Sequence, residues 1–274
     1  MRMLEAVAFG VLAGAMLAFP AAAAEAAMEA LILWARAVVP VLGPFMACML
    51  MVSSRMRGGM ALRTAMGWLS GSPGGARLMR EAGLRGRAAL RAAAMTGTMS
   101  PMFLIGTVGG WLGDRRLGRV MLGCHILGAL AIGLCVPRPE KAEASAVSPM
   151  PLGTALRESV LALLTVALCM MLGSVAARMA ACAFPAMPME AQAAMQCALE
   201  VTAGVKAVLS LNTPYTAPLI CAACSFGGLS LLLQNAAFWQ DSGVTLGQLA
   251  LLRVLHAILS GALCAAAVSV FFSI

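Results

Sequence analysis

Residues 67–86 read GWLSGSPGGARLMREAGLRG, and this stretch collects six glycines, one proline and three arginines. The apolar segment before the glycines and the segment after them are each too short to cross a bilayer, which takes about 20 apolar residues. Two half-length segments around a Gly/Pro break predict a re-entrant hairpin over residues 62–82. The neighbouring arginines are expected to hold the ends of this hairpin at one membrane surface.

The composition of the whole chain indicates a membrane protein. Of its 274 residues, 61% are hydrophobic and only 11% are charged, whereas soluble domains carry about 25% charged residues. The polar surface is therefore too small to cover a water-soluble globule. Long apolar runs recur along the chain, which predicts an all-α polytopic membrane protein.

The formal net charge of +8 does not indicate a nucleic-acid partner. Eight of the seventeen arginines lie between residues 55 and 91, where Trp68 is the only aromatic residue, so no base-stacking platform accompanies them. Their clustering predicts the cytoplasmic side of the membrane. The nine cysteines are scattered through apolar segments, which favours packing over disulfides or a metal site.

The order of segments occurs twice along the chain, with an offset of about 130 residues. Each unit is a span, a re-entrant hairpin, a broken span and a second span. Three crossings in a unit place the next unit upside down, which is the inverted repeat of secondary transporters. With an N-terminal span, the fold has about seven crossings plus two hairpins. The predicted parts are an N-terminal span or signal-like segment 1–27, a first repeat 28–136 with hairpin 62–82, a hydrophilic linker 137–153, and a second repeat 154–274 with hairpin 189–211.

Helix breaks at bilayer depth must be buried in protein or line a wet cavity. Ser72-Pro73 and Ser100-Pro101 have the N-cap and first-position residues of a helix. Each pair predicts a helix N-terminus aimed at the membrane centre, where free N–H groups attract anions. The alternative is that the glycines only permit close helix packing. The predicted substrate-binding residues are Ser70, Gly71, Ser72, Gly74, Gly75, Thr98, Ser100, Ser225, Gly227, Gly228, Ser230 and Gln234.

Glu200 is a carboxylate within an apolar segment, which makes it a candidate functional residue. With Thr202 and Gly204 it forms a predicted ion-coupling site, in which an unwound VTAG backbone after Glu200 holds a cation. The coupling ion is expected to be sodium or a proton, and no cofactor or bound metal is expected. The alternatives are an ion pair with Lys206 or a position near the membrane surface.

His125 and His256 occupy comparable places in the last span of each unit. An interhelical hydrogen bond is the favoured role for both, with a proton relay as the alternative. Arg253, one helical turn from His256, is expected to extend to the membrane interface.

Four stretches resemble a known family in order and spacing: SGSPGGARL, SPMFLIGTVG, the Glu-x-Thr-x-Gly pattern at 200–204, and SFGGLSLLLQ. They are similar to the sporulation integral membrane proteins of the YlbJ type (stage V sporulation protein VV-like), in the nucleoside-recognition "gate" domain group. The resemblance covers residues 28–272. It implies an inverted-repeat carrier in the outer forespore membrane of an endospore-forming bacterium, with dipicolinate as its cargo.

The sequence therefore predicts a multi-pass cell membrane protein that acts as a secondary transporter of a small organic anion. A carrier of nucleosides or other neutral solutes is one alternative, and a non-transporting scaffold for spore assembly is another. The expected partners are the anionic solute and the lipid bilayer, with self-association into a homo-oligomer as a further option. The chain contains no HExxH or GxSxG motif, and we do not expect an enzyme.

Overall fold

The computed structural model describes residues 2–55, 59–72, 74–137 and 149–271, and these residues form helices joined by short turns, with no strand among them. The α-helices are α1 (Arg2–Ala18), α2 (Pro20–Leu33), α3 (Val39–Ser53), α4 (Met60–Ser70), α5 (Gly74–Glu81), α6 (Gly86–Thr96), α7 (Gly109–Trp111), α8 (Arg115–Cys135), α9 (Leu152–Ala183), α10 (Met189–Leu199), α11 (Val201–Ser210), α12 (Thr216–Phe226), α13 (Gly228–Trp239) and α14 (Leu246–Phe271). Two π-helical segments also occur among these residues. Trp34–Val38 joins α2 to α3, and Met102–Val108 precedes α7.

Among the residues that the structure describes, five helical stretches are long and apolar enough to cross a membrane, which is the architecture of an all-helical, multi-pass membrane protein. They are Pro20–Ser53, Arg115–Cys135, Leu152–Ala183, Thr216–Trp239 and Leu246–Phe271. The predicted span at 88–113 is divided into α6 and the segment Met102–Trp111, and α1 has 17 residues. A count of seven crossings therefore stays a prediction.

The two halves of the chain have the same order of elements. In the first half a long helix (Pro20–Ser53) is followed by the helix pair α4–α5, an interrupted helix and α8. In the second half α9 is followed by the pair α10–α11, the interrupted stretch Thr216–Trp239 and α14. Both predicted hairpins, 62–82 and 189–211, thus coincide with a pair of short helices.

The second span begins at Pro20 rather than at the predicted residue 28, because the alanine-rich stretch after Phe19 is helical and continuous with it. The π-helical turn Trp34–Val38 lies directly before Pro40, which lacks an N–H group and disturbs the regular bonding of the preceding turn. Of the predicted linker 137–153, residues 138–148 lie outside the described residues, and α9 begins at Leu152.

Polar contacts gather at two ends of the molecule. At one end, Met150 N donates to Ser54 Oγ at 3.0 Å, Arg77 Nη2 lies 2.7 Å from Glu158 Oε2, and Gly86 N donates to Ser242 O at 2.8 Å. At the other end, Arg178 pairs with Glu25 and Glu29, and the Lys206 ammonium lies over the Trp111 ring. Between these ends the helices pack through small residues; a Cβ on Gly261 of α14 would lie 3.0 Å from the Ala222 Cβ of α12.

Candidate functional site

The interruptions of the helices meet around one small cavity, which we call the inner cavity. Its volume is about 70 Å³, and apolar side chains of α3, α9 and α13 form much of its wall. Its polar lining residues come from both halves of the chain and lie at or near the breaks. They are Ser72, Ser100, Glu200, Thr202, Ser230 and Gln234.

Ser100 and Pro101 start a helix, as their residue types predict. Phe103 N donates to Ser100 Oγ at 3.2 Å and to the Ser100 carbonyl oxygen at 3.0 Å, so Ser100 caps the helix that begins at Pro101. Residues 97–100 before it are not helical. This N-terminus therefore lies at the inner cavity.

Ser72 has a different role from the predicted cap. Its hydroxyl donates to Asn235 Oδ1 at 2.8 Å, and its N–H donates to Thr98 O at 2.6 Å. The side chain thus connects the first-half hairpin to α13 of the second half instead of capping α5. Pro73, the other member of the predicted pair, lies outside the described residues.

Glu200 is the single residue between α10 and α11, and it is 1% exposed. Its backbone is extended, with φ −141° and ψ 110°, and its side chain caps α11. Thr202 N donates to Oε1 at 3.0 Å and Ala203 N donates to Oε2 at 2.7 Å. The positive end of the α11 dipole and these two amides stabilise the carboxylate in a buried position.

The sequence suggested an unwound backbone over the VTAG stretch, residues 201–204. In the structure the break in the second hairpin is at Glu200 instead. Residues 201–204, the VTAG stretch, are helical because the Glu200 carboxylate satisfies the first N–H groups of α11. Gly204 instead permits close packing, since a Cβ there would lie 2.5 Å from Cys197 Cα. The expected unwound backbone with cation-binding carbonyls is absent at this stretch.

The expected alternative for Glu200, an ion pair with Lys206, does not occur either. Lys206 is exposed, and its ammonium lies 5.1 Å from the centroid of the Trp111 ring, a cation–π arrangement. The second alternative, a position near the membrane surface, stays a prediction, because burial of Glu200 within the protein does not fix its depth in a bilayer.

The other predicted residues surround the inner cavity without lining it. Gly71 and Gly228 are contact points where backbone meets backbone; their Cβ atoms would lie 2.8 Å from Ser100 Cα and 3.1 Å from Cys197 O. Gly75 packs on Thr96 in the same way, and Gly227 has a left-handed backbone with φ 84° at the end of α12.

Ser70 and Gly74 line a separate small cavity beside α3. Thr98 is fully buried, and its hydroxyl has no hydrogen-bond partner.

Ser225 belongs to a second polar cluster, centred on the two histidines. Met99 N donates to His125 Nε2 at 2.8 Å, and His125 Nδ1 lies 2.7 Å from Ser225 Oγ. Because an amide N–H can only donate, Nε2 is unprotonated, and the neutral ring donates its Nδ1–H to Ser225. One imidazole therefore joins the break at 97–100 to the end of α12 in the other half.

His256 and Arg253 complete this cluster. His256 Nε2 donates to the His125 carbonyl oxygen at 2.8 Å, and the two rings are 4.6 Å apart. The interhelical hydrogen bonds expected for the histidines are present. Arg253 does not extend to the interface as expected, because it is 6% exposed and its guanidinium donates to the Gly97 carbonyl oxygen. That carbonyl is free because α6 ends at Thr96.

A larger cavity, the vestibule, lies on the other side of Glu200. Its volume is about 820 Å³, and it is formed by α2, α9, α10 and α11. Three cationic side chains line it, Arg36, Arg178 and Lys206, together with Glu29 and Glu200. Ala37 and Glu200 line both cavities, so a thin wall at these two residues separates the vestibule from the inner cavity.

Sequence reasoning missed Asn235, which lies next to the predicted Gln234. Asn235 is 2% exposed; its Oδ1 accepts from Ser72, and its Nδ2 donates to Leu231 O at 2.9 Å. The available signal was a carboxamide pair, Gln234-Asn235, inside an apolar segment. Arg253 had a similar signal, because it is an ionisable residue inside an apolar helix, about two turns after the start of α14.

Comparisons of the chain with known protein families, with curated proteins and with solved structures found no match.

Proposed function

We propose that this protein is a secondary membrane transporter that carries a small organic anion through the space between its broken helices. The observation that carries the proposal is the position of Glu200, a buried carboxylate at a helix break, which lines both the inner cavity and the vestibule. Discontinuous helices that end around a shared cavity are typical of the binding sites of secondary transporters.

The contacts at the two ends of the molecule support an inverted repeat with seven crossings. The end of α3, the start of α9 and the turn before α14 lie at the same end of the molecule. The contacts found there are Ser54–Met150, Arg77–Glu158 and Gly86–Ser242. Trp111 and Lys206 meet at the opposite end. The first unit then starts at the vestibule end and finishes opposite it, while the second unit runs the other way. The arginine cluster supports a cytoplasmic position for the end opposite the vestibule.

The vestibule supports an anionic solute of small-molecule size. Its volume of about 820 Å³ lies within the range of about 300–1,000 Å³ for small-molecule pockets. Arg36, Arg178 and Lys206 give it a positive lining, although Arg178 is already paired with Glu25 and Glu29. On the family resemblance the solute is dipicolinate, and the membrane is the outer forespore membrane.

A carrier of neutral solutes such as nucleosides is the second candidate. The observation that favours it is Gln234, whose buried Oε1 has no hydrogen-bond partner and which lines the inner cavity with three serines. Hydroxyl and amide groups of a neutral solute would satisfy such a lining without the charge repulsion that an anion meets at Glu200.

Purified protein in liposomes tests both candidates. We expect uptake of radiolabelled dipicolinate that unlabelled dipicolinate inhibits and uridine does not. Preferential uptake of uridine would favour the second candidate, and no uptake of either solute would favour a non-transporting scaffold and contradict the proposal.

Topology can be tested separately with cysteine labelling in a chain whose nine native cysteines are replaced. Single cysteines at Arg55, which is exposed, and at Met150 should react with an impermeant reagent only from the cytoplasmic side, whereas one at Thr213 should react only from the opposite side. Labelling of positions 55 and 150 from opposite sides would contradict the inverted repeat.

A further inference from the structure

The inner cavity is too small for the organic solute in this arrangement of the helices. Its volume is about 70 Å³, whereas small-molecule pockets measure about 300–1,000 Å³. One water molecule takes up about 30 Å³ of liquid, so the cavity has room for a single ion or a few waters. The solute-sized space is the vestibule next to it.

The polar atoms that line the inner cavity are mainly hydrogen-bond acceptors. Gln234 is 2% exposed, and its Oε1 has no partner. Each carboxylate oxygen of Glu200 accepts one amide N–H and has a further lone pair. Ser72 donates its hydroxyl proton to Asn235, which leaves only lone pairs on its oxygen for another partner. The described lining residues include no Lys, Arg or His.

A cluster that is rich in oxygen acceptors and has no cationic side chain among its described lining residues is suited to a hard cation. Glu200 is the one carboxylate among the described lining residues, and a single negative charge balances a monovalent ion. Sites for divalent calcium use several carboxylates, so one carboxylate does not indicate such a site.

We propose that the inner cavity binds one sodium ion, held by the Glu200 carboxylate and Gln234 Oε1 together with serine hydroxyls from both halves of the chain. This inference rests on the proposed transport function and adds the coupling ion to it. The ligands differ from those that the sequence suggested, since the VTAG carbonyls are bonded within α11 and take no part.

Sodium at this position would act on the solute through Glu200. Ala37 and Glu200 form the wall between the two cavities, so the ion enters from the vestibule past the Glu200 side chain. Once bound, it offsets the charge that otherwise repels an anion at the inner end of the vestibule. By linkage, solute binding and sodium binding then strengthen each other by the same factor.

The experiment measures equilibrium binding of radiolabelled sodium to the purified full chain in detergent, with choline chloride to hold ionic strength constant and no solute present. We expect saturable binding that lithium reduces and choline does not. The measurement does not depend on transport, so uptake without sodium binding would overturn only this inference, and sodium binding without uptake would overturn only the proposed function.

Two pairs of variants locate the site, and each pair makes the same chemical change inside and outside the inner cavity. Glu200→Gln should lower the sodium affinity by about tenfold or more, equivalent to about 1.4 kcal/mol, whereas Glu29→Gln in the vestibule should leave it within about twofold. Gln234→Met should lower the affinity by about fivefold, and Gln196→Met, also in the vestibule, should not.

Size-exclusion profiles and unfolding midpoints show which variants are folded. If Glu200→Gln does not fold, Gln234→Met and Ser230→Ala decide the outcome. Unchanged sodium affinity in the folded inner-cavity variants, or an equal loss in the vestibule variants, would overturn the site. Binding of protons with no saturable sodium binding would overturn the choice of ion.

Discussion

Each hairpin is a pair of short helices, but the turns between the helices differ in chemistry. In the first half the described residues of the turn between α4 and α5 are Gly71 and Ser72, which are neutral and contact the break of the neighbouring span. In the second half the turn between α10 and α11 is made by Glu200, and Gly228 of the neighbouring span packs on it through Leu199 and Cys197. Both turns meet a broken helix, but only the second places a carboxylate there.

The two turns are therefore stabilised in different ways. The first turn is fixed by glycine backbone geometry and by a hydrogen bond from Ser72 to Asn235 in the other half. The second turn is fixed by a side chain that caps its own helix. Substitutions of Gly71 should therefore act mainly on folding, and substitutions of Glu200 should act mainly on transport.

The largest expected effect is the loss of stability in Gly71→Ala. Gly71 has φ 64° and ψ −179°, a region open almost only to glycine, and a Cβ there would lie 2.8 Å from Ser100 Cα. The backbone strain costs about 1–3 kcal/mol, and overpacking adds about 1–3 kcal/mol. Tryptophan fluorescence during chemical unfolding in detergent measures the change.

Gly123→Ala is the control for Gly71→Ala. Gly123 lies in α8, and a Cβ there would have no atom within 4 Å; alanine also has the higher helix propensity. This variant should unfold at the same denaturant concentration as the parent or a higher one. Equal midpoints for the two variants would show that the first turn tolerates a side chain.

The second prediction concerns transport in Glu200→Gln. Glutamine retains a carbonyl oxygen that can cap α11, so stability should fall by less than the loss of a whole cap, which costs about 0.5–2 kcal/mol. Ion-dependent, concentrative uptake should be abolished, because the charge at the boundary of the two cavities is lost, while solute exchange is retained. Uptake in liposomes with and without a sodium gradient measures both.

A Glu200→Gln protein that takes up solute with the parent's dependence on sodium and pH would contradict the coupling role. The carboxylate would then be a helix cap alone, and the two hairpin turns would differ in structure but not in function.

The architecture was predictable because it depends on local rules. Length and hydropathy predict the long helices, and Gly/Pro punctuation predicts the interruption at 67–75 and the helix start at Ser100-Pro101. The position of the second break was not predictable from glycine, since a carboxylate that caps a helix leaves Val201–Ser210 regular despite Gly204. The low helix propensity of glycine favoured a break at Gly204, but the Glu200 side chain caps α11 and the helix stays regular there.

The pairing across the two halves was beyond prediction for a different reason. The partners of Ser72, His125 and Arg253 are 163, 100 and 156 residues away in the chain, and no local pattern specifies such contacts. A lone arginine near a helix end favours the interface, but the free carbonyl oxygen of Gly97 holds Arg253 inside.

The third prediction compares the two histidines. His125→Phe keeps a ring but leaves Met99 N and Ser225 Oγ without their partner, and each unsatisfied group costs about 1–3 kcal/mol. His256→Phe removes a hydrogen bond to the His125 carbonyl oxygen, which lies inside α8 and still accepts from the helix backbone. We expect the first variant to unfold at the lower denaturant concentration, and the reverse order would show that the bridge between the breaks does not depend on His125.

The smallest expected effect separates Ser72 from Ser70, two serines of the same turn. Ser72 donates to Asn235 across the two halves and lines the inner cavity, whereas Ser70 donates only to Gly67 O at 3.2 Å and lines the separate cavity beside α3. Loss of one hydrogen bond costs about 1 kcal/mol, so Ser72→Ala should reduce solute uptake about fivefold, while Ser70→Ala should leave it unchanged. Both variants remove one hydroxyl from the same hairpin, so a general weakening of the turn would affect them equally. A selective loss in Ser72→Ala would show that the neutral turn contributes to transport through its contact with the other half, and equal losses would confine its contribution to folding.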